Sequence, residues 1–377
     1  MTNNIFERNE KKIILFIVLL ILTIIVIVIE SISAHFYKQK NREKDFTSNY
    51  YLNQNWGRAF VEDQKKAFSL KSQYKPYCIY TARPFKSRLF NVDINGNRET
   101  INFDNNKKLQ KVIYLYGGST VYNGEVPDEY TIASLLSQRL NGIDQNYSYK
   151  VINFGVSGYV SSNELLSMLT ESSQNYIHYS KPDYILFYNG VNDIGMGVYH
   201  GMPGSHFGQQ DIQLRYNNFL KFIIERLKYK IKDNSFFLKL IERKEIKKFS
   251  KTECLKNAKL QNYIYLQNLY LAKKIGERDG INVKFILQPS IFTTDSKNMY
   301  DKLIRKEALE NNFDIPYVIG YKEFLNSAKE NSVINFTEIL NSVDPNVQLF
   351  LDSVHTTHFS NYIIAKNIAE IILKNGD

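Results

Sequence analysis

The sequence is poor in the residues on which disulfide, metal and cofactor chemistry depend. It has two cysteines in 377 residues, Cys78 and Cys254, and these form neither a CxxC pair nor a cluster with metal-ligand spacing. They could form one disulfide in an oxidising compartment or stay as two separate buried thiols. The chain also has no internal repeat, no low-complexity tract and no nucleic-acid-binding motif. We therefore expect no metal, no cofactor and no nucleic-acid partner.

Glycine-rich phosphate-binding loops are missing as well. The stretch Tyr114–Gly124, YLYGGSTVYNG, has two glycines after an apolar run but no lysine, so it is not a Walker A loop. It also lacks the GxGxxG dinucleotide fingerprint, and Val121 stands where the GxSxG elbow has its second glycine. The stretch still predicts a tight turn that exposes Ser119. Ser119 could be a nucleophile there, or it could only be part of the turn.

Positive charge is abundant, and most of its excess lies in one segment. The formal net charge is +10, and residues 221–256 contain twelve Lys/Arg against five Asp/Glu. Apolar residues recur among these charges at roughly helical spacing, which predicts one or two amphipathic helices. Two interpretations stay open: a solvated basic face, or a surface that contacts anionic lipid headgroups or an acidic envelope polymer.

One long apolar run occurs near the N-terminus. Residues 13–29 read IILFIVLLILTIIVIVI and follow Lys11 and Lys12. At ~1.5 Å per residue this run spans about 25 Å, and its continuation to Ala34 reaches the ~30 Å of a bilayer core. The apolar region of a cleavable signal peptide is shorter, about 7–15 residues. The run therefore predicts an uncleaved membrane anchor.

The positive charges on the two sides of this run do not predict a clear orientation in the membrane. Three cations precede it and four follow between Lys38 and Lys44, so the positive-inside count slightly opposes an outward domain. A short N-terminal tail with two lysines at the membrane edge is nevertheless the usual form of a signal anchor. We expect a single-pass membrane protein whose main domain is extracytoplasmic, in the periplasm or at the cell surface.

Three segments are predicted along the chain. Residues 1–34 form the cytoplasmic tail and anchor, residues 35–110 a spacer with a β-hairpin, and residues 111–377 the main domain. The spacer has a possible short helix over residues 59–71. Its Asn95-Gly96 pair, within NVDINGNRETI, is a strong hairpin signal.

From residue 111 onward, strand-like and helix-like stretches alternate. The predicted strands are KVIYLY, YKVINF, DYILFY and NVKFILQP. The predicted helices include EYTIASLLSQRL, SSNELLSMLTES, LQNLYLAKKIGER and SNYIIAKNIAEIILKN. Strands separated by helices of about ten to fifteen residues predict parallel βαβ units in an α/β sandwich. Active sites of such sheets gather at the carboxyl ends of the strands, which directs attention to GGST, GVSG, NGVND and a late DSVH.

A serine nucleophile needs a base, and the base needs a group that sets its tautomer. The compact Asp/His pairing in this chain is Asp352 with His355, in DSVH, and His358 is a rival histidine. These three residues lack a fourth partner of clear spacing, so they do not predict a metal site. His200 and His206 flank a glycine-rich loop after the third strand and could line a pocket.

Acyl transfer also needs hydrogen-bond donors for the developing oxyanion. The glycines of GVSG, residues 155–158, offer backbone N–H groups that no side chain shields, and Asn192 in GVND offers a side-chain amide. Each alone could be a turn glycine or a helix-capping asparagine. Their placement at successive strand ends favours a shared role.

In this order, the four stretches resemble the four blocks of the SGNH hydrolases, the GDSL-type esterases and acyl hydrolases, over about residues 111–373. The resemblance implies a three-layer α/β/α sandwich with a parallel sheet, the flavodoxin-like SGNH fold. It also implies a role for each matching residue: Ser119 as nucleophile, His355 as general base, Asp352 as its orienting group, and Ser119 N–H, Gly158 N–H and the Asn192 amide as the oxyanion hole.

The first block departs from the family pattern, because Gly118 stands where Asp often occurs; this variation is common among envelope members. The anchor, the hairpin and the VPDEYTIASLL helix look like membrane-anchored, extracytoplasmic members of the superfamily. An insertion at roughly residues 195–260 separates the third block from the fourth, and its first part, GMGVYHGMPGSHFG, is expected to border the active site.

The leading functional hypothesis is a serine esterase that removes acyl groups, chiefly acetyl, from an envelope or capsule glycan. An O-acyltransferase that uses the same triad is an alternative, because the sequence does not tell whether water or a sugar hydroxyl takes the acyl group. A lysophospholipase or thioesterase is a third hypothesis, favoured if the basic insertion lies against lipid. A non-catalytic envelope-binding protein is a fourth, which the complete Ser/Gly/Asn/Asp/His set disfavours.

Overall fold

The computed structural model describes residues 5–42, 46–103, 109–241 and 247–374. Two compact units are present. The first comprises Met1–Phe46 and Gly208–Glu245, and the second comprises Thr47–Phe207 and Ile246–Asp377. This division differs from the three segments expected from sequence, since residues 47–103 belong to the same unit as the sheet.

The elements are defined as follows. The α-helices are α1 (Ile5–Arg42), α2 (Phe46–Leu52), α3 (Gly57–Ser69), α4 (Ser119–Tyr122), α5 (Ile132–Ile143), α6 (Ser161–Ser173), α7 (Val191–Ile194), α8 (Gln209–Asn217), α9 (Phe219–Asn234), α10 (Phe236–Ile241), α11 (Lys251–Asp279), α12 (Met299–Glu310), α13 (Asp314–Ala328) and α14 (His358–Lys374). The strands are β1 (Gln73–Lys75), β2 (Ile79–Thr81), β3 (Leu109–Gly117), β4 (Tyr147–Gly155), β5 (Tyr184–Asn189), β6 (Asn282–Leu287) and β7 (Val333–Asn335). A 3₁₀ turn covers Asp128–Tyr130, and a π-helical turn covers Gly195–Tyr199.

The second unit is built on a parallel five-stranded sheet with strand order β4-β3-β5-β6-β7. This is the flavodoxin-like order, in which the chain reverses direction across the sheet after its first two strands. Gly117 of β3 pairs with Gly155 of β4 and with Tyr188 of β5. The carboxyl ends of these three strands therefore lie side by side at one edge of the sheet.

Side chains of β3 alternate between the two faces of this sheet, as strand geometry requires. Tyr114 and Tyr116 enter a core with helices α6, α11 and α13. Ile113 and Leu115 enter a second core with helices α5 and α14. Helices thus cover both faces, and the predicted three-layer α/β/α sandwich is confirmed.

The four predicted strands all occur, as β3, β4, β5 and β6. The predicted helices correspond to α5, α6, α14 and part of α11, which is longer than expected. Sequence patterns did not predict β7, because a strand of three residues has too little alternation to be recognised. They also did not predict α12 and α13, which complete the sandwich after β6.

The region expected to be a spacer packs onto the sheet unit. Tyr50, Tyr51 and Trp56 from α2 and its following turn form an aromatic cluster with Phe60 of α3. Tyr122, three residues after Ser119, is part of the same cluster. The expected short helix at 59–71 corresponds to α3. Residues 46–69 therefore support the loop beside Ser119 instead of only separating the domain from the membrane.

The predicted hairpin at Asn95-Gly96 is a tight turn with a minimal ladder. Gly96 adopts φ +85 and its N–H donates to the Asp93 carbonyl at 3.0 Å. A single antiparallel bridge joins Val92 to Arg98, and neither flank forms a regular strand. The asparagine-glycine pair thus correctly predicted where the chain turns, but the regular strands expected on both sides of the turn do not form.

The first unit contains the apolar run within α1. Residues Lys11–Tyr37 form one helical stretch that is long and apolar enough to cross a membrane. The same unit also contains helices α8, α9 and α10, and the basic segment supplies α10 and most of α9. The Glu30 carboxylate of α1 accepts hydrogen bonds from the N-terminus of α10, at Phe236 N (2.8 Å) and at Ser235 Oγ.

Both cysteines are free and buried, so the disulfide option is excluded. Cys78 packs with Val156 and Tyr159 under the Gly158 loop. Cys254 lies on α11 in the core that faces β3.

Candidate active site

Ser119 begins α4 directly after β3, at the carboxyl edge of the sheet. A Cβ at position 118 would lie 2.2 Å from the Asn192 Nδ2 atom and 3.1 Å from the Tyr159 carbonyl oxygen, so a side chain there would displace the Asn192 amide. Ser119 itself is partly exposed, so its hydroxyl is accessible to a substrate.

His355 and Asp352 approach Ser119 from a loop after β7, more than 230 residues further along the chain. The His355 Nε2 atom lies 2.8 Å from Ser119 Oγ. The His355 Nδ1 atom lies 2.6 Å from Asp352 Oδ2, and Asp352 Oδ1 accepts from the backbone N–H groups of Val354 and His355, both at 2.8 Å. This arrangement assigns the Nδ1 proton to the side of Asp352 and leaves Nε2 to accept the serine proton.

Charge around this imidazole sets its basicity. Burial alone lowers the pKa of an imidazole, but the carboxylates of Glu125 and Asp352 raise the pKa of His355 to about 10. Partial desolvation acts against ionisation of Asp352, yet His355 and the two backbone donors hold the pKa of Asp352 below its usual range. The imidazolium form of His355 is therefore strongly stabilised.

Glu125 is a site residue that sequence reasoning missed. Its Oε1 atom lies 3.7 Å from His355 Nε2, on the side of the ring that faces Ser119. Burial raises the pKa of Glu125, whereas the neighbouring His355 acts in the opposite direction. No sequence signal marked it, because a glutamate six residues after Ser119 belongs to none of the motifs considered.

The loop that carries Glu125 is held by a buried ion pair. The Arg98 guanidinium, 1% exposed, contacts Asp128 Oδ1 at 2.8 Å. It also donates to the carbonyl oxygens of Asn123 (3.0 Å) and Val126 (2.8 Å). Three attachments on both sides of Glu125 thus connect this loop to the segment that follows the Asn95-Gly96 turn.

The hydrogen-bond donors expected from the sequence lie at the neighbouring strand ends. Asn192 is on α7, after β5, and its Nδ2 atom donates to the Tyr159 carbonyl at 2.8 Å. An amide nitrogen carries two hydrogens, so one remains for a substrate. Gly158 follows β4 and has φ +79, which favours glycine. Among the described residues, the N–H groups of Ser119 and Gly158 make no hydrogen bond to the protein.

A buried acidic group fixes the position of α7. Asp193 accepts from Ser161 N (3.0 Å), Ser161 Oγ (2.6 Å) and Gln261 Nε2 (3.0 Å). Burial raises the pKa of Asp193 to about 6, although these hydrogen bonds act in the opposite direction. Asp193 therefore ties the short helix that bears Asn192 to α6 and α11.

The rival histidines have other surroundings. The His358 ring packs among Tyr50, Trp56 and Tyr130, its Nδ1 atom contacts the Tyr50 hydroxyl, and burial lowers the pKa of His358. His200 packs against the ring of Phe207, and His206 Nδ1 lies 2.9 Å from the Phe207 carbonyl oxygen.

The first part of the insertion, GMGVYHGMPGSHFG, approaches the Gly158 loop through the Phe207 ring. The Phe207 ring lies 3.5 Å from the position that a Cβ on Gly158 would take. A separate cavity of about 260 Å³ is lined by Val156, Ser157 and Tyr80, among others. Ser119, Asp352 and His355 do not line it.

No protein-family model and no curated protein matches this chain. Solved structures similar to it include a member of the lipolytic protein G-D-S-L family from Veillonella parvula DSM 2008, with 14% identity, 70% of this chain and 99% of that chain covered, and a TM-score of 0.35. An acetyl xylan esterase has 18% identity, 69% and 99% coverage and a TM-score of 0.32. A carbohydrate acetylesterase from Sinorhizobium meliloti has 13% identity, 70% and 99% coverage and a TM-score of 0.33. Because these TM-scores lie below 0.5, neither fold nor activity is inferred from these structures.

Proposed function

We propose that this chain is a serine esterase that removes acyl groups, acetyl in particular, from an envelope or capsule glycan through an acyl-enzyme on Ser119. The observation that supports this most directly is the line of contacts from Ser119 Oγ through His355 to Asp352, at 2.8 and 2.6 Å. A serine hydroxyl, a base and a group that sets its tautomer are the parts that acyl transfer needs.

In the acylation step, Ser119 Oγ attacks the ester carbonyl carbon while His355 Nε2 takes the hydroxyl proton. The carbonyl oxygen becomes an oxyanion that the N–H groups of Ser119 and Gly158 and the free Asn192 amide hydrogen would stabilise. Asp352 stabilises the imidazolium that forms. The proton on Nε2 then passes to the sugar oxygen as the ester C–O bond breaks, which releases the alcohol and leaves the acyl group on Ser119.

Deacylation repeats these steps with water as the nucleophile. His355 Nε2 takes a proton from water as its oxygen attacks the acyl carbon, and the oxyanion occupies the same donors. The proton returns to Ser119 Oγ as the carboxylic acid leaves. If a sugar hydroxyl replaces water here, the same site is an O-acyltransferase.

The position of Ser119 favours a small acyl group on a large acceptor. Its side chain is partly exposed at the sheet edge, and the nearby 260 Å³ cavity is not lined by the triad. A partly exposed serine at the sheet edge suits a polymer that lies along the surface and presents an acetyl group.

The apolar helix α1 supports an envelope location. Its Lys11–Tyr37 stretch has the length and hydropathy of a membrane span, and its large apolar side chains from Ile14 to Ile29 are exposed. We infer that α1 is a membrane anchor and that the second unit lies outside the cytoplasm, where glycans of the envelope occur. A reporter that works only when exported, fused after Asp377, should be active if the second unit lies outside the cytoplasm. It should be inactive if that unit lies in the cytoplasm.

The test of the activity uses purified full-length protein in detergent, short-chain aryl esters and acetylated oligosaccharides. Release of acetate that disappears in Ser119→Ala supports the esterase. An acetylated acceptor sugar formed at the expense of free acetate would instead make the enzyme a transferase. No turnover of any ester by the wild type, with the Ser119 hydroxyl inert to a fluorophosphonate probe, would contradict both.

A further inference from the structure

Helix α9 carries an apolar stripe that the protein leaves uncovered. In the residues that the structure describes, the five members of this stripe are between 38% and 71% exposed. Their spacing of three and four places them on one face of the helix. They are Leu220, Ile223, Ile224, Leu227 and Ile231. Five large aliphatic side chains aligned over about 17 Å form a surface that a soluble protein normally covers.

Cations border this stripe on both sides. At 100° per residue, Lys221, Lys228 and Lys232 lie along one border, and Arg226 and Lys230 lie along the other. The helix carries five Lys/Arg and two Asp/Glu, a difference of three positive charges. An apolar stripe between rows of cations is typical of helices that lie in the headgroup region of an anionic membrane.

The position of α9 relative to the membrane follows from contacts within the first unit. The apolar run of α1 ends at Ile29, so Glu30 stands at the edge of the hydrocarbon region if α1 crosses the bilayer. Glu30 accepts hydrogen bonds from Phe236 N at 2.8 Å and from Ser235 Oγ. The centroids of the Tyr37 and Phe236 rings lie 5.8 Å apart. Because α9 ends at Asn234, its C-terminus is held at the level of Glu30, at the membrane interface.

We propose that α9 is an interfacial helix whose Leu220–Ile231 stripe inserts among the lipids next to α1, with its lysines at the phosphates of anionic lipids. The occupant of the uncovered face is therefore the bilayer. This inference rests on the membrane insertion of α1 and is independent of the chemistry at Ser119. Its consequence is a second, lateral attachment to the membrane, which restricts the tilt of the first unit.

The experiment compares two positions about 160° apart on α9, Leu227 on the stripe and Glu225 on the opposite face. Leu227→Cys and Glu225→Cys are made in the full-length protein, labelled with the fluorophore NBD and reconstituted into vesicles of phosphatidylcholine with and without phosphatidylglycerol. Cys78 and Cys254 are buried, and the unsubstituted protein measures their background labelling. Reduction by aqueous dithionite and quenching by 5-doxyl lipid are recorded for both labels.

With phosphatidylglycerol present, the label at 227 should be reduced several-fold more slowly than the label at 225 and quenched more strongly by doxyl lipid. Removing the anionic lipid, or replacing Lys221, Lys228, Lys230 and Lys232 by Gln, should diminish both differences. Equal dithionite rates at 227 and 225 would overturn the proposal. Protection at 227 without doxyl quenching would also overturn it, because a protein surface would then cover the stripe.

Two controls separate this inference from the others. Resistance of the reconstituted protein to alkaline carbonate extraction tests whether α1 is inserted in the membrane. If the protein is inserted but the label at 227 is exposed to water, the proposal that α9 is an interfacial helix is contradicted and the insertion of α1 is not. Thermal unfolding of each labelled variant, compared with the wild type, shows whether labelling has disturbed the fold.

Discussion

At the residue scale, the contact between Ser119 Oγ and His355 Nε2 makes a sharp prediction for substitution. Ser119→Ala or His355→Ala should lower kcat by about 10³–10⁶, because the nucleophile or its base is lost. The double variant Ser119→Ala/Asp352→Ala should be little worse than Ser119→Ala alone, since the residues act in one step. Steady-state hydrolysis of an aryl ester measures these effects.

His358→Ala is the matched control for this series. The His358 ring contacts Tyr50 and Trp56, so its loss should affect stability more than turnover. Loss of turnover in His358→Ala together with an active His355→Ala would show that the base is assigned to the wrong histidine.

Glu125 predicts a pH effect whose sign is fixed by its charge. His355 must be neutral to accept the serine proton, so kcat/KM of the wild type should rise with pH through the pKa of His355, which is raised to about 10. Glu125→Gln removes a negative charge that favours the imidazolium, so the pKa of His355 should fall and the acid limb should move to lower pH. A pH–rate profile of both enzymes measures the shift.

Glu129→Gln, an exposed change on the same loop, is the control and should leave the profile unchanged. An acid limb that stays in place, or moves to higher pH, in Glu125→Gln would argue that Glu125 does not act on His355.

At the scale of elements, the loop between α4 and α5 depends on one buried side chain. Arg98→Ala removes the partner of Asp128 and two carbonyl contacts, and leaves a buried carboxylate without its counter-charge. Breaking a buried pair in this way typically costs about 3–5 kcal/mol of unfolding free energy. Denaturant unfolding should show this loss, whereas Arg88→Ala, an exposed change in the same segment, should be near neutral. Equal stabilities of the two variants would contradict the role of Arg98.

At the scale of the whole molecule, deleting residues 1–46 removes α1 but leaves α9 with its stripe. The second unit keeps both cores of the sandwich and should fold. The truncated protein should still sediment with phosphatidylglycerol vesicles at low salt and be released as salt screens the lysines. Adding Leu220→Ser, Leu227→Ser and Ile231→Ser should abolish this binding. If the truncated protein does not sediment with anionic vesicles, α9 has no lipid affinity of its own.

Local patterns in the sequence were sufficient to predict most of the sheet and to propose where the site lies. Strand-like runs predicted β3 to β6, and polar stretches at their ends pointed to Ser119, Gly158 and Asn192. The strand predictions are confirmed, because the alternation of strands and helices, with turn residues between them, is a local property. The roles of Ser119, Gly158 and Asn192 stay predictions. The apolar run of α1 and the amphipathic pattern of α9 are readable for the same reason.

Contacts between distant parts of the chain were decided only by the tertiary structure. The 2.8 Å approach of His355 to Ser119, the packing of His358 against Trp56 and the free state of both cysteines all depend on how the elements assemble. Glu125 and Arg98 carry no motif, and each acquires its role from a neighbour that folding brings to it. The pKa of the imidazole depends on which charged groups surround it and on how deeply they are buried. Both are set by tertiary packing, so the sequence alone does not determine them.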